Sequence, residues 1–140
     1  PLLGPVLVRG LNGFAGAATV MATAKGLPDE VEQGLLAPYG SWAERIAILR
    51  FVQDIPMSPA HPSWAALAEI DAGLSRLRDK PMLLVWGERD WCFTPAFREE
   101  WQRRFPAAEA LQCADAGHYV LEDAGAPARA RIAAFLERPA

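Results

Sequence analysis

The run Met82-Leu83-Leu84-Val85-Trp86 is continuously apolar and is closed by Pro81 on one side and Gly87 on the other. A strand half exposed to water alternates apolar and polar residues, whereas a parallel strand covered on both faces reads as an unbroken apolar run, so a buried parallel strand is predicted. Each backbone N–H and C=O in such a strand needs a partner. Only one more strand is predicted downstream, at 110–113, and two strands leave each other's outer edges unpaired. The remaining neighbours are expected from further polypeptide upstream or from another copy of the chain.

The first eighty residues predict four helices and no strand. Residues 10–24 carry Leu11, Phe14, Ala18 and Met21 at helical spacing, with Lys25-Gly26 closing the segment as a glycine C-cap would, which predicts a buried helix. Pro28-Asp29-Glu30 opens a second helix, with proline in the first turn and acids at the positive end of the dipole. Ser41 and Glu44 form a capping-box pair before Ile46, Leu49, Phe51 and Val52, and Asp54-Ile55-Pro56 ends that helix. After a proline-rich loop, Pro62-Ser63 starts a fourth helix through Trp64, Leu67, Ile70 and Leu74. Beyond the strand, Thr94-Pro95 supplies an N-cap and first-turn proline for a helix reaching Phe105. A last helix is predicted over 127–137, burying Ile132, Phe135 and Leu136. The fold class is therefore α/β, with a helical part at 1–78 and a strand–helix–strand–helix part at 79–140.

With 140 residues and 51% hydrophobic composition the chain can bury a core. Its 17 acidic and 14 basic residues are interspersed, giving a net charge of -3 without a basic patch, which argues against nucleic acid. No stretch has the ~18 uninterrupted apolar residues of a membrane span, and Pro1-Leu2-Leu3-Gly4 lacks a signal peptide's charged start. The absence of an initiator methionine is compatible with a truncated or processed chain. Cys92 and Cys113 stand outside any ligand spacing and are expected as buried structural thiols in a reducing, cytoplasmic setting. No metal-ligand set and no glycine-rich phosphate loop is present, so neither metal nor cofactor is implied.

Two residues are placed for chemistry. Asp90 follows the first predicted strand and His118 follows the second, with Gly87 and Gly117 shortly before them. Open α/β sheets build sites at the carboxyl ends of their strands. Alone, an aspartate after a strand is an ordinary turn residue and a histidine an ordinary satisfied polar group. In the order acid then histidine, 28 residues apart with room for one helix and one strand, they suit a pair in which Asp90 accepts the imidazole Nδ1–H and leaves Nε2 as a base. Trp91 and Phe93 flank the acid as candidate pocket walls or as core. Phe14, Met21 and Phe51 could roof an apolar substrate or simply be helix core. His61 is expected to have a surface role, and Glu122 and Asp123 to lie in a solvated turn.

Pro81-Met82-Leu83-Leu84-Val85-Trp86-Gly87-Glu88-Arg89-Asp90, Thr94-Pro95 and the stretch from Asp115-Ala116-Gly117-His118 to Glu122-Asp123 resemble the final strands of α/β-hydrolases, particularly the haloalkane dehalogenase-like branch. Leu36-Ala37-Pro38-Tyr39, Ser41-Trp42, Arg50-Phe51 and Asp54-Ile55-Pro56 resemble that branch's helical cap. Within the branch, residues 50–56 and Phe105-Pro106 are similar to the β-lactone decarboxylases of bacterial long-chain olefin synthesis. The resemblance covers nearly the whole chain. It implies a partial α/β-hydrolase fold, a helical cap followed by the last two parallel strands and helices of the sheet. It also implies an apolar small-molecule substrate and a covalent mechanism in which an aspartate nucleophile attacks carbon while His118, oriented by Asp90, activates water or steers proton transfer. No nucleophile elbow or oxyanion-hole loop occurs in these residues, so a missing N-terminal half of the same protein is expected to supply them and the isolated chain to be inactive. Dehalogenation of an alkyl halide is the second activity the resemblance allows. Epoxide or ester hydrolysis is a third, although Tyr39 is the one tyrosine of the cap. A non-catalytic module is the alternative of another class. An open sheet edge and an uncovered apolar face would favour self-association.

Overall fold

The computed structural model describes residues 3–138, in two compact units. One comprises residues up to 18 together with 29–78; the other comprises 19–28 together with 79 onward. The segment 19–28 thus packs with the strand-bearing unit although it precedes residue 78.

In the helical unit α1 (Leu3–Pro5) runs into a π-helical turn at Val6–Gly10, which the sequence pattern did not predict. There follow the first part of α2 (Gly13–Met21), α3 (Asp29–Leu36), α4 (Ile46–Gln53) and α5 (Trp64–Gly73), with 3-10 turns at Ala37–Tyr39 and Leu74–Leu77. The capping box forms as predicted. Ser41 N donates to Glu44 Oε2 at 2.8 Å and Glu44 N to Ser41 Oγ at 3.3 Å, but it closes a turn ahead of the regular helix, which begins at Ile46. Arg45 ties this turn down, its guanidinium donating to the carbonyls of Arg9, Tyr39 and Gly40 at 2.7 to 2.9 Å. Arg9 in turn donates to Trp42 O and stacks 4.4 Å over the Trp42 ring. Ile48 and Leu49 form the buried face of α4.

The predicted buried helix at 10–24 is shorter and wetter than expected. It ends at Met21, only Thr19 of it is buried, and Val20 is 74% exposed. Gly26 does adopt the left-handed conformation expected of it (φ 79°), five residues after the helix has ended. The chain leaves the helix early because Ala22–Lys25 is engaged elsewhere, as the site shows.

The second unit holds β1 (Leu83–Gly87), α6 (Pro95–Arg104), β2 (Glu109–Cys113) and α7 (Val120–Leu136). The strands are parallel, in a register pairing Leu83 with Glu109 and Gly87 with Cys113. Leu83–Trp86 are half-buried, not buried on both faces, because the sheet has only these two strands among the described residues. Arg131 and Arg138 of the C-terminal region both clasp Glu109 at the start of β2, and Arg138 foremost holds the Glu109 carboxyl below the usual carboxylate range. Helix α7 starts at Val120, ahead of the predicted 127, and kinks at Gly125, whose φ of 52° lies in the left-handed region. The predicted start marks this kink, where Pro127 lacks the N–H a continuous helix would use. Ile132 and Phe135 are half-buried while Leu136 is exposed. Phe105, Ala116 and Ala128 form the centre of the unit. No helix among the described residues is long and apolar enough to cross a membrane.

Candidate active site

The parallel register delivers Gly87 and Cys113 to the same end of the sheet, and the pairing continues past both strands. Glu88 N donates to Cys113 O at 3.0 Å and Arg89 N to Ala116 O at 2.9 Å. A turn closed by Asp90 N on Gly87 O then aims the Asp90 side chain back over the strand ends. Arg98 of α6, buried, pairs with Glu88 of this turn at 3.2 Å, a contact that no sequence pattern flagged.

Asp90 is 8% exposed, and its two oxygens have separate work. Oδ1 accepts the backbone N–H groups of Cys92 (2.8 Å) and Phe93 (2.9 Å), an Asx turn that fixes the carboxylate plane. Oδ2 lies 2.9 Å from His118 Nδ1. A carboxylate oxygen only accepts, so Nδ1 carries a proton, and in the neutral form of the ring Nε2 keeps its lone pair. Nε2 has no hydrogen-bond partner among the described residues, and the side chain is 32% exposed.

The two glycines serve close approach, not turn conformation. Neither has a positive φ. A Cβ on Gly87 would stand 2.2 Å from Gly117 O and 2.5 Å from Ala116 O; one on Gly117 would stand 2.9 Å from Ala22 O. The acid strand and the histidine loop therefore touch backbone to backbone.

Beside the pair opens a cavity of about 150 Å³ lined by Val85, Trp86, Gly87, Asp90, Phe93, His118 and Val120. Phe93 forms one wall, its ring 5.3 Å from the imidazole and edge-on to Phe97 at 5.4 Å. Trp86 Nε1 donates to Phe93 O at 2.8 Å and so holds that wall. Trp91, the other flanking aromatic, turns away and donates its indole N–H to Met21 O at 2.7 Å. Phe14 and Phe51 belong to the helical unit, both substantially exposed. Phe51 borders a separate hollow of about 460 Å³ with Arg50, Gln53, Asp54, His61 and Pro62. There His61 spends both ring nitrogens on structure, accepting from Ser63 N at 3.2 Å and donating to Gln53 O at 3.0 Å.

Two expectations are corrected. Cys92 is exposed, not buried, because the Asx turn carries it outward, and Cys113 is half-buried with its thiol pushed up by desolvation. Iodoacetamide at pH 8 is accordingly expected to alkylate Cys92 well before Cys113, as read by peptide mass spectrometry; the reverse order would contradict this placement. Asp123 does not lie in a solvated turn. It is 7% exposed, and its carboxylate accepts from the N–H groups of Ala24, Lys25 and Gly117. The only sequence signal for it was an acid in the first turn of a helix, which ordinarily reads as a solvated cap. Glu122, its neighbour, is exposed as expected.

No protein-family model matches the chain. Across 97% of its length it is 39% identical to a cis-3-alkyl-4-alkyloxetan-2-one decarboxylase from Xanthomonas campestris pv. campestris, covering 45% of that protein. Across 88% of its length it is 40% identical to a protein of the same name from Shewanella oneidensis, covering 39% of it. Among solved structures, a haloalkane dehalogenase loop variant from Bradyrhizobium elkanii superposes with a TM-score of 0.82 at 22% identity, over 97% of this chain and 45% of that one. The chain is thus a homologue of these decarboxylases and has part of the α/β-hydrolase fold, and it spans less than half the length of the proteins it matches.

Proposed function

We propose that this homologue of cis-3-alkyl-4-alkyloxetan-2-one decarboxylases forms the C-terminal part of an enzyme that converts a β-lactone with apolar substituents into an olefin and carbon dioxide, Asp90 and His118 serving as the acid and histidine of its triad. The observation that carries this is the 2.9 Å contact between Asp90 Oδ2 and His118 Nδ1 at the carboxyl ends of paired strands, with Nε2 unengaged. Residues up to 18 together with 29–78 are assigned as helical cap, and 19–28 together with 79 onward as the end of the core. The nucleophile, a covalent aspartate, and the sheet strands that would cover Leu83–Trp86 are assigned to an N-terminal half outside these residues.

Within that assembly His118 Nε2 is the proton acceptor and donor at the reacting centre, and Asp90 fixes the tautomer and stabilises the imidazolium when it forms. Attack of the aspartate carboxylate on the ring carbon that bears the oxygen breaks the C–O bond; loss of the freed carboxylate as carbon dioxide then breaks the C–C bond, forms the C=C bond and expels the aspartate carboxylate, so the atoms balance without water, oxidant or cofactor. The cavity, walled by Val85, Trp86, Phe93 and Val120 beside the pair, suits alkyl substituents. A cytoplasmic setting suits two unpaired thiols.

The test uses the full-length protein containing this chain, supplied with a cis-3,4-dialkyl β-lactone and, separately, with a 1-haloalkane. Olefin by gas chromatography, without halide release from the second substrate, is expected. Halide release without olefin would assign dehalogenation instead. Turnover by residues 1–140 alone would overturn the need for a second half.

A further inference from the structure

We propose that Asp123 is a positioning residue for His118, fixing the imidazole by anchoring the peptide groups on both sides of it. Asp123 Oδ2 accepts Gly117 N at 2.7 Å and Ala24 N at 2.8 Å, and Oδ1 accepts Lys25 N at 3.1 Å. Lys25 returns the contact, its Nζ donating to Asp123 O at 2.7 Å. The segment so captured closes the other flank, because Ala22 O accepts Tyr119 N at 2.8 Å. The N–H before His118 and the N–H after it are both held, one by the carboxylate itself and one by the loop the carboxylate holds.

An ordinary helix-cap role does not account for this. Asp123 lies in the first turn of α7, yet no side-chain cap bond is made to that helix; the carboxylate points back to 22–25 and 117. Burying a carboxylate is costly unless its oxygens are satisfied, and here three backbone donors satisfy them, one from the nearby histidine loop and two from a segment nearly a hundred residues away. Gly117 completes the fit, since a side chain there would collide with Ala22 O. What the arrangement secures is the height of His118 above the strand ends, and hence the Nδ1 to Oδ2 distance.

Resting on the triad assignment proposed above, the test reads kcat and KM of the full-length protein with Asp123→Asn and Asp123→Ala, together with the low-field Nδ1–H proton resonance of His118, assigned by its loss in His118→Ala. A positioning role lowers kcat per folded molecule by about 10- to 100-fold, the effect of misplacing a catalytic group by an ångström, and shifts or broadens the Nδ1–H signal while KM stays nearly constant. A merely structural role lowers the unfolding midpoint and leaves both kcat per folded molecule and the resonance unchanged, which would overturn the proposal. If both substitutions prevent folding, Asp123→Glu keeps the charge but displaces the carboxylate by one methylene from Gly117 N and Ala24 N. A fall in kcat per folded molecule with a shifted Nδ1–H then supports positioning, and unchanged values refute it. Full turnover in His118→Ala would instead sink the triad assignment, and the resonance in Asp123→Asn would still decide what Asp123 does.

Discussion

Asp90→Asn in the full-length protein is expected to lower kcat for the β-lactone by about 10⁴-fold, and His118→Ala by about 10⁵-fold or more, each with a folded protein and a nearly unchanged KM. The aspartate case follows from how its two oxygens are used. Oδ1 sits under the N–H groups of Cys92 and Phe93, so the asparagine carbonyl oxygen must take that position to accept them. The amide NH₂ is thereby forced to the place of Oδ2, facing His118 Nδ1. A donor there demands a bare Nδ1 and moves the imidazole proton to Nε2, where a lone pair is needed for base catalysis. The loss of about 10⁴ corresponds to about 5.5 kcal/mol of transition-state stabilisation, far more than one neutral hydrogen bond contributes to folding. Circular dichroism should therefore show both variants folded. More than a tenth of the original turnover in either variant would remove Asp90 and His118 from the mechanism.

The placement of that pair was legible in the sequence because it depends on local order: an apolar run, a glycine, an acid, then a second strand and a histidine. The length of the intervening segment fixed the topology as strand, helix, strand. Less was legible where a residue's environment is built by distant segments. Asp123 shows an acid in the first turn of a helix, and nothing in 117–123 reveals that Ala24 and Lys25, nearly a hundred residues away, bring it their N–H groups. The same holds for Arg45 and Arg98, whose guanidinium groups are spent on carbonyls and on a carboxylate that adjacency does not disclose. Periodicity overstates helix burial at 10–24 and at Leu136 for a related reason. Periodicity tells which face is apolar, and only the surrounding chain tells whether that face is covered.

Gly87→Ala is expected to damage both stability and activity, although it adds one methyl group. The new Cβ would lie 2.2 Å from Gly117 O and 2.5 Å from Ala116 O, well inside contact distance, and both obstacles are backbone. A flexible side chain could swing aside; these carbonyls cannot do so independently. Ala116 O is engaged by Arg89 N, and the peptides of Gly117 and Tyr119 are tied to Asp123 and Ala22, so any relief moves the whole histidine loop. Overpacking in a tight interior costs about 1–3 kcal/mol, and breaking one or two of these hydrogen bonds adds about 1 kcal/mol each. A loss of about 3–5 kcal/mol is therefore expected by denaturant unfolding. The surviving folded molecules should turn over about 100-fold more slowly, since the loop displaced is the one carrying His118. Gly73→Ala is the control: it sits in α5, its Cβ would meet nothing within 4 Å, and a gain of about 0.5–1 kcal/mol is expected from reduced chain entropy. If Gly87→Ala matched Gly73→Ala in both measurements, the backbone contact between the acid strand and the histidine loop would not exist in solution, and the geometry that brings His118 to Asp90 would need another origin.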